Sequence, residues 1–206
     1  MMIKIYGDIY SGNCYKIKLA ATQLQIPHEW IKINILNKET ETASFLQKNP
    51  NGKVPLLELE NGTCLSESNA ILHYLSEGSA LLPTERLQHA QVLQWLFFEQ
   101  YSHEPYIATA RYIVRYLGRP AEHEERLQQK MAPGYHALDV MEQHLTRHSF
   151  FVAERYTIAD IGLYAYTHVA HEGGFDLDAY PAIRAWLQRV RQQAAYRDMQ
   201  AFDQQS

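Results

Sequence analysis

The stretch Asn49-Pro50-Asn51-Gly52-Lys53-Val54-Pro55-Leu56-Leu57, followed by Leu65-Ser66-Glu67-Ser68-Asn69-Ala70-Ile71, decides how this chain is read. It predicts a loop that turns through Val54-Pro55 into a strand, then a second strand, then a helix opening at Glu67-Ser68. A proline at the start of a strand leaves peptide groups beside it that the sheet cannot use. A helix start offers unsatisfied N–H groups. A carboxylate, a hydroxyl and helix amides therefore converge on one place. Those are the parts needed to hold a small peptide that carries carboxylates and an ammonium.

Working outward toward the N-terminus, Met2–Tyr6 alternates apolar and polar residues and predicts a short strand. Gly7–Gly12 is a loop, and a helix follows over 13–25. Its apolar positions Ile17, Ala20, Ala21 and Leu24 fall at i, i+3, i+4 and i+7. His28–Ile33 alternates as a second strand, and a short helix spans 43–48. Leu56–Leu59 and Thr63–Leu65 form a hairpin about Asn61-Gly62, and a helix spans 67–77. The order βαβαββα within 78 residues predicts one small mixed sheet with helices packed on it.

Residues 79–83 read as a linker, and 84–206 as an all-helical second domain. Helices are expected over 84–117, with a break at Pro105, and over 121–147, 158–170 and 180–193. Thr157-Ile158-Ala159-Asp160 has the form of a reciprocal N-terminal cap, and Gly162 would permit close helix packing. The chain thus reads as an α/β domain followed by an all-α domain.

The composition excludes several functions. With 206 residues and 46% hydrophobic content, two small cores can be filled. No apolar run approaches the roughly 18–20 residues that span a bilayer, so no membrane partner is expected. A net charge of −4 gives no general attraction to nucleic acid. The N-terminus lacks a secretory pattern, and two cysteines make no disulfide framework; a cytoplasmic location is the simplest expectation.

Ser11-Gly12-Asn13-Cys14 lies where the first strand hands over to the first helix. The partial positive field of a helix start favours an anion, a thiolate included. Ser11 can donate its hydroxyl hydrogen to such a sulfur and Asn13 an amide N–H, with neither acting as a base. The competing structural role is that either residue only caps the helix. Cys14 could itself be a low-pKa nucleophile. The lack of a Cys-x-x-Cys pair and its place three positions beyond the serine favour a small buried hydrophobe. Cys64, inside a short strand, reads as structural.

On the Ser-Gly-Asn-Cys loop, the Pro-Asn-Gly-Lys-Val-Pro to Glu-Ser block and Thr-Ile-Ala-Asp-Ile, the chain resembles the cytosolic glutathione transferases of bacterial type over residues 3–196. The resemblance implies a thioredoxin-like N-terminal domain over 1–78, a helical domain over 84–206 that contributes an electrophile pocket, and glutathione as co-substrate without a metal. It implies a cis peptide before Pro55, with Val54 pairing its main chain to the cysteinyl part of glutathione. Glu67 and Ser68 would hold the γ-glutamyl end. Lys53, aided by the segment 38–40, would meet the glycyl carboxylate. Ser11 falls at the thiol-activating position of serine-type members, with Tyr6 and Tyr10 as competitors for that role.

The resemblance also implies a small hydrophobic electrophile held against the helical domain by Tyr106, Arg111 and Tyr112, with Tyr10 from the loop. These aromatics could equally fill a core or a dimer contact. A homodimer is implied too, to which Trp95-Leu96-Phe97-Phe98 adds weak support. His168 and His171 have a spacing able to share a metal, but no third ligand is indicated. Glutathione conjugation is the leading function. Glutathione-dependent peroxide or disulfide reduction and a non-catalytic binding module are the alternatives.

Overall fold

A computed structural model describes residues 2–205. They form two compact units: residues through Ser79 joined by the segment from Ala194 onward, and Ala80–Gln193. In the first, β1 (Ile3–Gly7), α1 (Gly12–Gln23), β2 (His28–Lys32), α2 (Ala43–Lys48), β3 (Leu56–Glu58), β4 (Cys64–Leu65) and α3 (Ser68–Ser76) follow in the expected order. The sheet runs β2-β1-β3-β4. Strand β1 pairs parallel with β2 and antiparallel with β3, with Ile5 opposite Trp30 on one side and Leu57 on the other. Strands β3 and β4 are antiparallel. This is the thioredoxin-like arrangement that the resemblance implies.

The core of this unit is Ile5, Ile17, Leu19, Ala20, Leu56, Leu57, Ile71 and Leu72, all fully buried. Their removal from water is the main favourable term holding α1 and α3 against the sheet. Gly7 permits a close approach: a Cβ there would lie 2.5 Å from the Trp30 ring and 3.1 Å from Cys14 Sγ.

The second unit holds α4 (Arg86–Phe98), α5 (Glu104–Arg111), α6 (Glu124–Leu145), α7 (Ile158–Thr167) and α8 (Pro181–Arg191). The long helix expected over 84–117 is broken as Pro105 predicts. A π-helical turn at Glu99–His103 precedes α5, and a second, Tyr112–Tyr116, follows it. Proline lacks the N–H that would continue the ladder, and here it lies in the first turn of α5. Pro133 sits inside α6, and Gly134 admits Phe175, whose ring lies 2.4 Å from where a Cβ would be.

Two boundary expectations need correction. Part of the segment 79–83 is packed rather than a bare linker, because Leu82 and Pro83 are buried and Leu81 accepts a hydrogen bond from Ile158 N at 3.0 Å. The helical domain also ends before residue 206. From Ala194 the chain joins the first unit, where Tyr15 Oη donates to Arg197 O at 2.7 Å and Phe202 packs edge-on against Tyr15. Lys18 Nζ lies over both the Trp30 and Phe202 rings. An aromatic near the end of a polar tail gave little sign of this in the sequence.

Candidate functional site

The site begins at the start of α1. Ser11 has extended backbone (φ −74°, ψ 123°), and its Oγ accepts from Cys14 N at a long 3.4 Å. Asp8 braces the turn, accepting Ser11 N on its carbonyl at 3.2 Å and Tyr10 N on its carboxylate at 2.8 Å. Ser11 and Asn13 are half-buried, and the first turn carries no acidic residue to oppose an incoming anion.

Cys14 is 0% exposed, and burial pushes its thiol up to about 12, outweighing the hydrogen bonds from Ser11 and Asp8 that lower it. Burial thus favours the neutral thiol near neutral pH and disfavours Cys14 as a nucleophile. Tyr6 is committed elsewhere. Its hydroxyl donates to Glu58 Oε2 at 2.6 Å, the same oxygen that Lys48 Nζ reaches at 2.6 Å. Burial and then the Glu58 carboxylate raise the Tyr6 pKa, which disfavours a role in proton release. Tyr10 is exposed.

The second component is the start of α3. Glu67 adopts φ 68°, ψ 114°, a left-handed conformation that costs a residue with a Cβ about 1–3 kcal/mol. Its side chain is exposed, while Ser68 is buried. Ser68 Oγ donates to Asn13 Oδ1 at 3.2 Å and accepts from Lys16 Nζ at 3.3 Å. Lys16 Nζ also reaches Asn69 Oδ1 at 3.3 Å. The two helix starts are thereby tied together by polar side chains. Lys16, 0% exposed, was overlooked in the sequence. Its signal was a position three residues after Asn13 on one side of α1.

The third component is the loop before β3. The Val54–Pro55 peptide is cis, and Val54 lies outside the β1–β3 register, which begins at Leu56. Lys53 is exposed. Asn49 is buried and shapes the turn: its Nδ2 donates to Lys53 O at 2.7 Å, its Oδ1 accepts Asn51 N at 3.2 Å, and its carbonyl accepts Gly52 N at 3.0 Å. The sequence places Asn49 in this loop but gives no sign of its bond to Lys53. Lys38 is exposed and pairs loosely with Glu41 at 3.8 Å.

Comparison with known families decides the kinship of this arrangement. Residues 10–77 match the family described as Glutathione S-transferase, N-terminal domain, and residues 89–194 match Glutathione S-transferase, C-terminal domain. The chain belongs to the glutathione S-transferase family. A glutathione S-transferase of Pseudomonas fluorescens has a similar crystal structure, with a TM-score of 0.95 and 58% identity over 97% of this chain and 99% of that one. The disulfide-bond oxidoreductase YfcG of Escherichia coli is 29% identical over 91% of each chain. Elongation factor 1-gamma-A of Xenopus laevis is 37% identical over 74% of this chain, which spans only 32% of that relative's length.

In the helical unit of this glutathione S-transferase family member, the expected pocket residues have different surroundings. Tyr106 is half-buried, with Lys130 Nζ 5.4 Å from its ring centre. Tyr112 is exposed and stacks on Tyr116 at 5.4 Å. Arg111, expected as a liner, is 2% exposed and donates from Nε to Glu172 at 2.8 Å, an anchoring role within the unit. Trp95 and Leu96 are buried, with Trp95 packed on Phe98, His144 and Phe151, while Phe97 is 69% exposed. His168 is buried, stacks on Tyr164 and bonds the Tyr164 carbonyl at 2.8 Å; His171 is exposed.

Asp160 is fully buried at the start of α7. It accepts from Thr157 N (2.8 Å), Thr157 Oγ1 (3.1 Å), Phe151 N (3.2 Å) and Trp186 Nε1 (2.9 Å). Burial nonetheless raises its pKa to about 6. Its role is to hold this helix start. Among the described residues no helix is long and apolar enough to cross a membrane.

Proposed function

We propose that this chain binds glutathione at its N-terminal unit, stabilises the thiolate, and conjugates it to small hydrophobic electrophiles. The observation that carries this reading is the Asn13–Ser68 link, which sets two helix starts side by side. The start of α3, with Ser68 Oγ and the helix amides, suits the γ-glutamyl carboxylate, and the exposed Glu67 suits its ammonium. Val54 offers main-chain groups to the cysteinyl residue in the manner of an added strand. Lys53, exposed on the same loop, suits the glycyl carboxylate. The sulfur then falls to the start of α1, where Ser11 Oγ and Asn13 stabilise negative charge. Chemistry follows by attack of the thiolate on an electrophilic carbon, with the leaving group or the added carbanion taking up the charge and a proton.

A second reading has its own support in the resemblance to the disulfide-bond oxidoreductase along nearly the whole chain. With Cys14 buried and neutral, glutathione itself would be the thiol. Two glutathione molecules would then reduce one disulfide to two thiols, leaving glutathione disulfide. The non-catalytic module is third, since elongation factor 1-gamma relatives share this region as a minor part of a longer chain. A cytoplasmic homodimer is part of the proposal. Phe97 and Tyr101, 69% and 84% exposed one helical turn apart, suit burial against a second copy.

The test is a turnover screen. Purified protein is assayed with glutathione against a panel of aryl halides, enones, hydroperoxides and mixed disulfides, alongside Ser11→Ala. Turnover of a carbon electrophile that falls in the variant supports conjugation. Turnover of disulfides alone moves the second reading ahead, and turnover of neither leaves the binding module.

A further inference from the structure

Lys16 is buried beside the proposed site, and its charge biases the hydrogen bonds of Ser68. An ammonium has only donors. Lys16 Nζ, 3.3 Å from Ser68 Oγ and 3.3 Å from Asn69 Oδ1, therefore makes both of those oxygens acceptors. The one hydroxyl proton of Ser68 is then available for Asn13 Oδ1 at 3.2 Å. Asn13 accepts on its carbonyl oxygen, which makes its Nδ2 the donor end of the chain, in the first turn of α1 two residues beyond Ser11. The nearby ammonium turns the hydroxyl hydrogen away from itself and toward Asn13 Oδ1, which favours this amide orientation. Chains of this kind polarise one another where water is excluded, and Lys16 is 0% exposed.

We infer that Lys16 is a positioning residue of the glutathione site, acting through Ser68 to hold the Asn13 amide with its N–H group toward the bound thiolate. The inference rests on the proposed glutathione reading and adds a coupling that reading does not require. Without the ammonium, the Ser68 hydroxyl can turn round and accept from Asn13 Nδ2. The amide flips, and a carbonyl oxygen then faces a sulfur anion.

The test is ultraviolet titration of the thiolate of bound glutathione in wild type, Lys16→Met and Ser68→Ala, with S-methylglutathione affinity measured on each. The expected result is a bound thiol that ionises at higher pH in both variants, by about one unit, a tenfold loss of thiolate near neutrality. Ser68→Ala carries the test even if Lys16→Met fails to fold. Weaker S-methylglutathione binding with an unchanged thiol titration in Ser68→Ala, or in a folded Lys16→Met, would reduce these residues to holding the glutamyl end and overturn the inference alone. A wild type that takes up neither ligand would overturn the glutathione reading and the inference with it.

Discussion

The helix starts of α1 and α7 use similar residues to opposite ends. At α7, Thr157 and Asp160 are wholly buried, and the carboxylate is surrounded by donors from Thr157, Phe151 and Trp186. At α1, Ser11 is half-buried and holds Cys14 N only at 3.4 Å, with no acid in the first turn. The start of α3 is less relaxed still, since Glu67 takes a left-handed φ and makes no side-chain cap. A closed cap stabilises a fold. An open one keeps its donors for something that arrives later, and a strained residue marks where geometry is held against local preference.

Substitution should separate the two kinds of start. Asp160→Ala leaves buried donors on Thr157, Phe151 and Trp186 without an acceptor and should cost about 3–5 kcal/mol of stability, read by urea unfolding. Glutathione affinity of the folded protein should not change. The pH dependence follows from the raised pKa. Folded Asp160 titrates at about 6 against an ordinary 3.8, so its contribution is fully present below the lower value and fades as pH rises through about 6. Asp160→Asn, uncharged throughout, should remove that decline, worth about 3 kcal/mol between the two limits. A variant with the wild-type pH profile would show that another group is responsible.

Ser11→Ala should do the reverse, lowering turnover about a hundredfold while costing about 1 kcal/mol of stability or less. Unfolding as severe as that of Asp160→Ala would erase the distinction between open and closed starts. Glu67→Gly sharpens the point at α3. Relief of the left-handed backbone should raise stability by about 0.5–1 kcal/mol, while loss of the carboxylate weakens glutathione binding by about 1–3 kcal/mol. Both changes are read on one sample by melting and calorimetry, and a variant that is less stable and binds equally well would contradict the assignment.

The smallest effect is a labelling difference. Iodoacetamide at pH 8 should modify the partly exposed Cys64 in the native protein and spare Cys14 until the chain is unfolded. Native-state labelling of Cys14 would return it to the list of nucleophiles.

The parts of this molecule that were legible in the sequence are those written in local signals. Alternation gave β1 and β2, Asn61-Gly62 the hairpin, Pro105 the break before α5, and Thr157–Asp160 the α7 cap. The parts that were not depend on partners far along the chain. Lys16 could not be connected with Ser68, 52 positions later, by any helical pattern. Arg111 reads as a pocket liner, and its bond to Glu172, 61 positions away, has no local signal. Asn49 reads as part of a loop, and its bond to the Lys53 carbonyl has no signature in sequence. Tyr6 looked available for thiol chemistry until Glu58 took its hydroxyl. Aromatic and charged side chains are ambiguous in sequence because tertiary contacts decide whether their polar ends face a ligand or the protein.

The central claim is that the open starts of α1 and α3 together hold glutathione. Calorimetric titration of the purified wild-type protein with glutathione, S-methylglutathione and glutathione disulfide tests it most directly. The account predicts saturable binding of glutathione and of S-methylglutathione, both weakened in Glu67→Gly. Absence of heat with all three ligands, or binding indifferent to Glu67, would contradict it.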